Sequence, residues 1–154
     1  MVTDRPRSQR TLRLFLASAV LAATASWVYA FVHDGKSFAI EAALPQLELK
    51  ERPFILREAW WNGELAVGKT KIIQHQLFLR NEYWFWFACS EEDSEVSIHI
   101  YDTEGKLADA EAWKKRNVAA VRVVPSTSGT YYLRIGMEKA PMSPAEWAVI
   151  YAYR

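Results

Sequence analysis

The residues best suited to bind a metal ion form an acidic turn in the middle of the chain. Glu91, Glu92 and Asp93 follow one another directly, and Asp102 and Glu104 come shortly afterwards. Carboxylate oxygens are the ligands that Ca²⁺ prefers, but this spacing does not match an EF-hand loop. Charged turns of this kind are usually solvated. We therefore expect no metal site and no bound cofactor.

The cysteine and the histidines form no catalytic or zinc-binding pattern. Cys89 is the only cysteine, so no internal disulfide can form, and its apolar neighbours indicate a buried strand. His33, His75 and His99 are far apart in the sequence and have no cysteine companions. No serine lies in a Gly-x-Ser-x-Gly elbow. We therefore expect no catalytic residue and a non-enzymatic protein.

An aromatic surface is the strongest candidate for a binding site. Trp84 and Trp86 alternate with other aromatic residues in the run 83–89, and side chains two apart on a strand share one face. If this run pairs with the next run, 96–101, His99 and Tyr101 line the same face. The spacing suits a protein hot spot or stacked sugar rings. We predict a partner-binding face made of Trp84, Trp86, His99 and Tyr101.

The alternative is that this face is covered by the chain's own first half. The run 83–89 is apolar on both sides, which is typical of a strand buried on both faces. Residues 54–56 or the pair Trp60-Trp61 could supply the cover. Among binding partners, protein is favoured over sugar, because a membrane anchor would place the domain beside other membrane proteins.

A series of short strands would position these residues. The run 96–101 alternates between apolar and polar residues, and Asn62-Gly63, Gly105 and residues 125–129 are strong turn signals. About seven or eight such runs predict a mainly β protein, an antiparallel β-sandwich or jelly roll. In the second half, only residues 107–117 have a helix-forming composition.

The N-terminal segment predicts export or anchoring. Residues 14–32 contain no charged residue and follow four arginines within residues 5–13. As a hydrophobic helix they would span about 28 Å, which is close to the thickness of a bilayer core. A cleaved signal peptide ending near Ala30 is the alternative, but the apolar run is longer than a usual signal-peptide core. Either segment places the rest of the chain outside the cytoplasm.

The composition favours one globular domain behind this segment. We assign residues 1–32 to the anchor or signal peptide, 33–62 to a linker or edge segment, and 63–154 to the β-sandwich. The formal net charge of +1 gives no indication of nucleic-acid binding. We expect other membrane or periplasmic proteins as partners, the membrane itself through residues 14–32, and no small-molecule ligand.

The order of elements between residues 63 and 153 resembles the bacterial pre-peptidase C-terminal type of β-sandwich found in exported proteins. The matching pieces include Gly63-Glu64-Leu65, Ile98-His99-Ile100-Tyr101-Asp102 with Gly105, and Ser128-Gly129-Thr130-Tyr131. The resemblance implies a non-catalytic appendage and carries over no catalytic residues. Family members have an Asp-Leu-Asp-Leu type of run where this chain has residues 94–97, so no acidic ligand role is carried over either.

Together these patterns predict a membrane-anchored, extracytoplasmic β-sandwich that serves as an accessory or interaction subunit of a membrane-associated protein complex. The alternative is a secreted module that binds carbohydrate or peptidoglycan after signal-peptide cleavage.

Overall fold

A computed structural model describes residues 34–154 of the chain. The expected N-terminal hydrophobic helix, with its anchor or signal peptide, lies outside the described residues. Within residues 34–154, no helix is long and apolar enough to cross a membrane. These residues belong to one compact unit.

The described chain contains one helix followed by nine strands. They are α1 (Gly35–Leu47), β1 (Ile55–Leu56), β2 (Trp61–Leu65), β3 (Thr70–Leu77), β4 (Tyr83–Cys89), β5 (Glu95–Tyr101), β6 (Glu111–Lys115), β7 (Val118–Val123), β8 (Gly129–Lys139) and β9 (Ala145–Tyr153). The segment expected to be a linker or edge, residues 33–62, thus contains the helix, β1 and the first two residues of β2.

The strands form two antiparallel sheets. The large sheet has the order β1-β9-β4-β7-β6, with β2 also paired to β9, and the small sheet has the order β3-β8-β5. The prediction of a mainly β protein with antiparallel sheets is confirmed, although the strand count is nine rather than seven or eight. The assumed pairing of β4 with β5 is wrong, because β4 pairs with β7 and β9 while β5 pairs with β8.

The main hydrophobic core lies between the facing sides of the two sheets. Alternate residues of each strand point into it, as the period-two pattern of the sequence predicts. From β4 and β5 these are Tyr83, Phe85, Phe87, Cys89, Val96, Ile98 and Ile100, and β9 adds Trp147, Val149 and Tyr151. The side of β4 that faces the small sheet is therefore part of the main core.

The other side of β4 is covered by α1. Trp84 and Trp86 stack with ring centroids 5.8 Å apart and are only 2% and 1% exposed. They pack in a second core cluster with Ala39 and Ala43 of α1 and with Phe54, which follows the helix. The two alanines lie one above the other on the same helix face, where small side chains let the helix approach the rings closely. All seven residues of β4 are therefore buried.

The start of α1 shows how closely the helix lies on the sheet. A Cβ atom added to Gly35 would come within 2.6 Å of the Ala88 carbonyl oxygen, so only glycine fits. Asp34 caps the helix by accepting hydrogen bonds of 2.9 Å from the Ser37 backbone N–H and hydroxyl. The bond from the backbone N–H lowers the pKa of Asp34 and keeps the cap charged.

One side of the sandwich is closed by the chain as it crosses between the sheets. Leu107 bridges to Tyr101, and the Ala108 N–H donates to the Ile100 carbonyl oxygen at 2.8 Å. The chain then enters the large sheet as β6. The prediction of a helix over residues 107–117, which rests on their composition, is therefore wrong. Pairing along β7 holds this short segment extended, and such tertiary contacts override local propensity.

Because α1 covers β4, two tryptophans in one row of the large sheet should contribute differently to stability. Trp86 and Trp113 both pair with Ala120, on opposite sides of it, but Trp113 lies at the sheet edge and is 38% exposed. We expect Trp86→Ala to lower the free energy of unfolding by about 3–5 kcal/mol, because it leaves a cavity beneath α1. Trp113→Ala should cost about 1 kcal/mol or less. Urea unfolding measures both values, and equal losses would contradict the cover.

Candidate functional site

The four residues expected to form one binding face lie on two different sheets. Trp84 and Trp86 lie on β4 beneath α1, whereas His99 and Tyr101 lie on β5 of the small sheet. The expected alignment depended on pairing between β4 and β5, which does not occur. A partner cannot reach the two tryptophans unless α1 leaves the sheet. The structure shows the alternative arrangement, in which the chain's own first half covers the two tryptophans.

His99 is held by an acidic side chain at the closed side of the sandwich. Its Nδ1 atom lies 2.8 Å from one carboxylate oxygen of Asp109, whose other oxygen accepts the Ile100 N–H at 2.8 Å. Asp109 thus fastens the crossing segment to β5. Tyr101 is half-buried and bridges to Leu107 at the same crossing. Both predicted site residues therefore have structural contacts here.

An accessible aromatic surface exists at the opposite, open side of the sandwich. There β1 and β2 form the edge of the large sheet, and β3 forms the edge of the small sheet. Between them lies a cleft of about 350 Å³, which we call the aromatic cleft. It is lined by Arg57, His75, Gln76, Phe78, Asn81, Tyr83, Tyr151 and Tyr153.

The inner wall of the aromatic cleft is a set of packed rings. The His75 ring centroid lies 4.6 Å from that of Tyr151 and 5.1 Å from that of Trp61, both in edge-to-face geometry. Tyr151 stacks on Phe85 at 5.6 Å, which connects the wall to the main core. A wall fixed in this way needs little ordering when a ligand binds.

Burial also sets the charge of the histidine in this wall. Removal from water lowers the pKa of His75 below its ordinary value, because the protonated ring loses solvation. The imidazole is therefore neutral at pH 7. The cleft wall is apolar and aromatic rather than cationic at this position.

The hydroxyl group of Tyr83 accepts two hydrogen bonds and keeps its own proton to donate. Its oxygen accepts hydrogen bonds from the Phe78 N–H at 3.1 Å and from Asn81 Nδ2 at 3.0 Å. A phenol oxygen has two acceptor positions and one proton to donate. Because both acceptor positions are used and no acceptor for the proton occurs among residues 34–154, Tyr83 is available as a donor.

Arg57 adds a positive charge at the mouth of the cleft. Its guanidinium lies over the Tyr153 ring, with Cζ 5.6 Å from the centroid. The neighbouring Tyr151 hydroxyl raises the pKa of Arg57 further, so the charge is permanent. Within the described chain, no carboxylate forms an ion pair with Arg57. The aromatic cleft therefore combines apolar walls, hydrogen-bond donors and an uncompensated cation.

A cluster of charged residues fixes the end of the cleft. The Glu82 carboxylate receives Arg122 Nη1 at 2.8 Å and Arg154 Nε at 2.7 Å. Burial by itself would raise the pKa of Glu82, but the hydrogen bonds from Arg154 and Arg122 outweigh it, and the pKa is lowered. Glu82 and Arg154 also exchange two backbone hydrogen bonds of 3.0 Å. Their sequence neighbours Tyr83 and Tyr153 are thereby held in place.

The other candidate catalytic and metal-binding residues do not form a common site. Within residues 34–154, no group of three or more histidine, cysteine or acidic side chains is arranged to hold a metal ion. Cys89 is fully buried, and its sulfur accepts a hydrogen bond from the Ser94 hydroxyl at 3.3 Å. Glu92 and Asp93 of the acidic turn are exposed to solvent.

The sequence did not single out the aromatic cleft, because its residues come from separate segments. Arg57 follows β1, His75 and Gln76 lie on β3, and the tyrosines belong to β4 and β9. Only the packing of the two sheets face to face, with β1, β2 and β3 at the same side, brings them together. No protein-family model and no curated protein sequence matches this chain.

The buried histidine leads to a prediction about pH. Because the pKa of His75 is lower in the folded than in the unfolded chain, the unfolded chain binds more protons below about pH 6.5. The His75 contribution to stability is therefore present above that pH and is lost as the pH falls. We expect His75→Phe, which keeps a ring in the wall, to flatten the pH dependence of unfolding free energy between about pH 7 and 5. Urea unfolding at several pH values checks this, and an unchanged slope would contradict it.

Proposed function

We propose that this chain is a non-enzymatic, membrane-anchored accessory or interaction subunit of a membrane-associated protein complex. Residues 14–32 serve as the anchor, and the domain lies outside the cytoplasm, in the periplasm. The observation that supports a binding role is the aromatic cleft at the open side of the sandwich. It is accessible, preformed and chemically mixed, which is the usual character of a binding site.

Exposed apolar residues around the cleft favour a protein partner. Phe78 lines the cleft and is 54% exposed, and its neighbour Leu79 is 49% exposed. Ile55 is 57% exposed and pairs with Tyr153 at the other wall. Exposed apolar side chains beside an aromatic pocket are typical of a surface that contacts another protein.

The position of the chain entry is compatible with this proposal. Gly35 lies against Ala88 and Ala148, near one end of β4 and β9. The cleft residues Tyr83 and Tyr153 lie at the other end of the same two strands. The point at which the preceding segment joins the domain is therefore separate from the cleft.

A second candidate is a secreted module that binds carbohydrate or peptidoglycan. The volume of about 350 Å³ and the aromatic walls favour it, because sugar rings stack on aromatic side chains. This alternative requires cleavage near Ala30 and retention of the mature protein on a polysaccharide. An intact N-terminus, measured as the mass of the native protein, supports the anchored subunit instead.

We extend the proposal to the finer description of the fold. The domain would be a β-sandwich of the pre-peptidase C-terminal type or a jelly roll. The support is that Gly129, Thr130 and Tyr131 begin β8, the central strand of the small sheet, directly after Ser128, as the resemblance implies.

The proposal predicts the size of the native assembly. Membranes solubilised in mild detergent should show the full-length chain in a complex larger than the free subunit on native electrophoresis. Phe78→Ser removes an exposed apolar anchor at the cleft, and we expect it to shift the chain to the free position. The matched control is Met142→Ser, because Met142 is 61% exposed and lies in the β8–β9 loop. It should leave the complex intact.

A wild-type chain that migrates only as the free subunit would contradict the proposed function. Equal behaviour of the two variants would contradict the assignment of the aromatic cleft as the contact.

A further inference from the structure

We infer that the open edge of β3 and the aromatic cleft together bind an acidic, extended segment of the partner protein. The segment adds to the small sheet as a strand beside β3 and directs an apolar or aromatic side chain into the cleft. This inference rests on the proposed function and names the chemistry of the partner.

The first support is the unpaired edge of β3. This strand of eight residues pairs with β8 on one side, and no strand of the described chain pairs with its other side. The Met137 N–H donates to the Lys69 carbonyl oxygen, and hydrogen bonds alternate along an antiparallel ladder. The backbone groups of Ile72, Gln74 and Gln76 therefore face the open edge, where an added strand can bond to them.

The second support is the position of the cleft relative to this edge. His75 is on the inner face of β3 and forms part of the cleft wall. A strand added beside β3 extends the small sheet across the cleft opening, and every second side chain then points between the two sheets. The Tyr83 hydroxyl proton and the ring of Phe78 are available to such a side chain.

The third support is the charge around the edge. Arg57, Lys69 and Lys71 have no ion-pair partner among residues 34–154, and neither β3 nor the cleft lining contains an acidic residue. Lys71 instead lies over the Trp147 ring at 5.3 Å. Uncompensated cations beside an open strand edge favour an acidic partner segment and repel a basic one.

The edge strand β6 differs from β3 because it contains an acidic residue and has side chains that form ion pairs. On β6, Lys114 is paired with Glu138, and Glu111 receives Arg122. A second copy of the chain is also a poor occupant of the β3 edge. Pairing through β3 would bring two sets of unpaired cations together, with no acidic residue of either strand to compensate them.

The test measures binding of synthetic peptides to the full-length chain in nanodiscs of neutral lipid. The probe is a fluorescein-labelled peptide of about nine residues in which glutamate alternates with valine and the central position is tyrosine. Its counterpart has lysine in place of every glutamate. We expect the acidic peptide to bind at least about tenfold more tightly in fluorescence anisotropy, and to weaken as salt increases.

A pair of variants at one residue tests strand addition. Gln74→Pro removes an N–H that faces the open edge and breaks no bond to β8, whereas Gln74→Ala keeps that N–H. We expect the proline variant to bind the acidic peptide at least about tenfold more weakly, and the alanine variant to stay within about threefold of wild type. A peptide methylated on alternate backbone nitrogens tests the same bonds with the wild-type chain, so the result does not depend on how the proline variant folds.

A second pair of variants tests the charge. Arg57→Ala should weaken binding of the acidic peptide several-fold, because it removes the cation at the cleft. Lys139→Ala is the matched control, because it also removes an exposed cation. Lys139 lies on β8, where its Nζ atom is 3.7 Å from Oε1 of Glu95. It should leave the affinity unchanged.

The outcomes separate this inference from the proposed function. The inference is overturned if the acidic peptide does not bind, if it binds no better than its lysine counterpart, or if backbone methylation has no effect. In those cases a wild-type chain that still migrates within its native complex leaves the proposed function standing. Loss of the native complex is a failure of the proposed function itself.

Discussion

The structure depends on covering both faces of β4. This strand carries aromatic side chains on each side, so water must be excluded from both. The small sheet covers one side, and α1 covers the other through closely packed alanines over Trp84 and Trp86. Large buried aromatic rings contribute several kcal/mol each to stability, which makes these two layers a strong constraint on the fold. The remaining strands extend the two sheets from this centre, and β1, β2 and β3 end them at the open side.

The sequence predicts the side of β4 that faces the small sheet, but it does not predict the helix that covers the other side. Strict alternation in β5 and the Tyr83, Phe85, Phe87 series identify the faces that meet in the core. The sequence does not indicate the helix, because α1 lacks an amphipathic pattern, contains Pro45, and contacts the sheet through glycine and alanine. The pairing of β4 with β5 was a natural expectation for neighbours joined by a short turn. Here that turn carries the chain from one sheet to the other.

The aromatic cleft arises where the edge strands of the two sheets face each other, and no sequence motif marks it. A sandwich closed on one side by its own crossing segment keeps its other side open, and there the rings of β9 and β4 meet His75 of β3. No local pattern could predict this, because the cleft depends on which strands become edges. The individual residues also look ordinary in sequence: Arg57 is one of many cations, and its lack of a carboxylate partner is visible only in three dimensions. The accessible aromatic surface thus lies at a different place from the face of Trp84, Trp86, His99 and Tyr101 that the sequence predicts.

The central claim is that α1 closes the tryptophan face while the edge of β3 stays open. Amide hydrogen exchange of the full-length chain in nanodiscs tests both parts together. The account predicts that the amides of Trp86 and of Ala43 in α1 exchange only through global unfolding, at one common free energy, while the Gln74 amide exchanges much faster. Exchange of the Ala43 amide far faster than that of Trp86 would show that α1 leaves the sheet, and it would contradict the account.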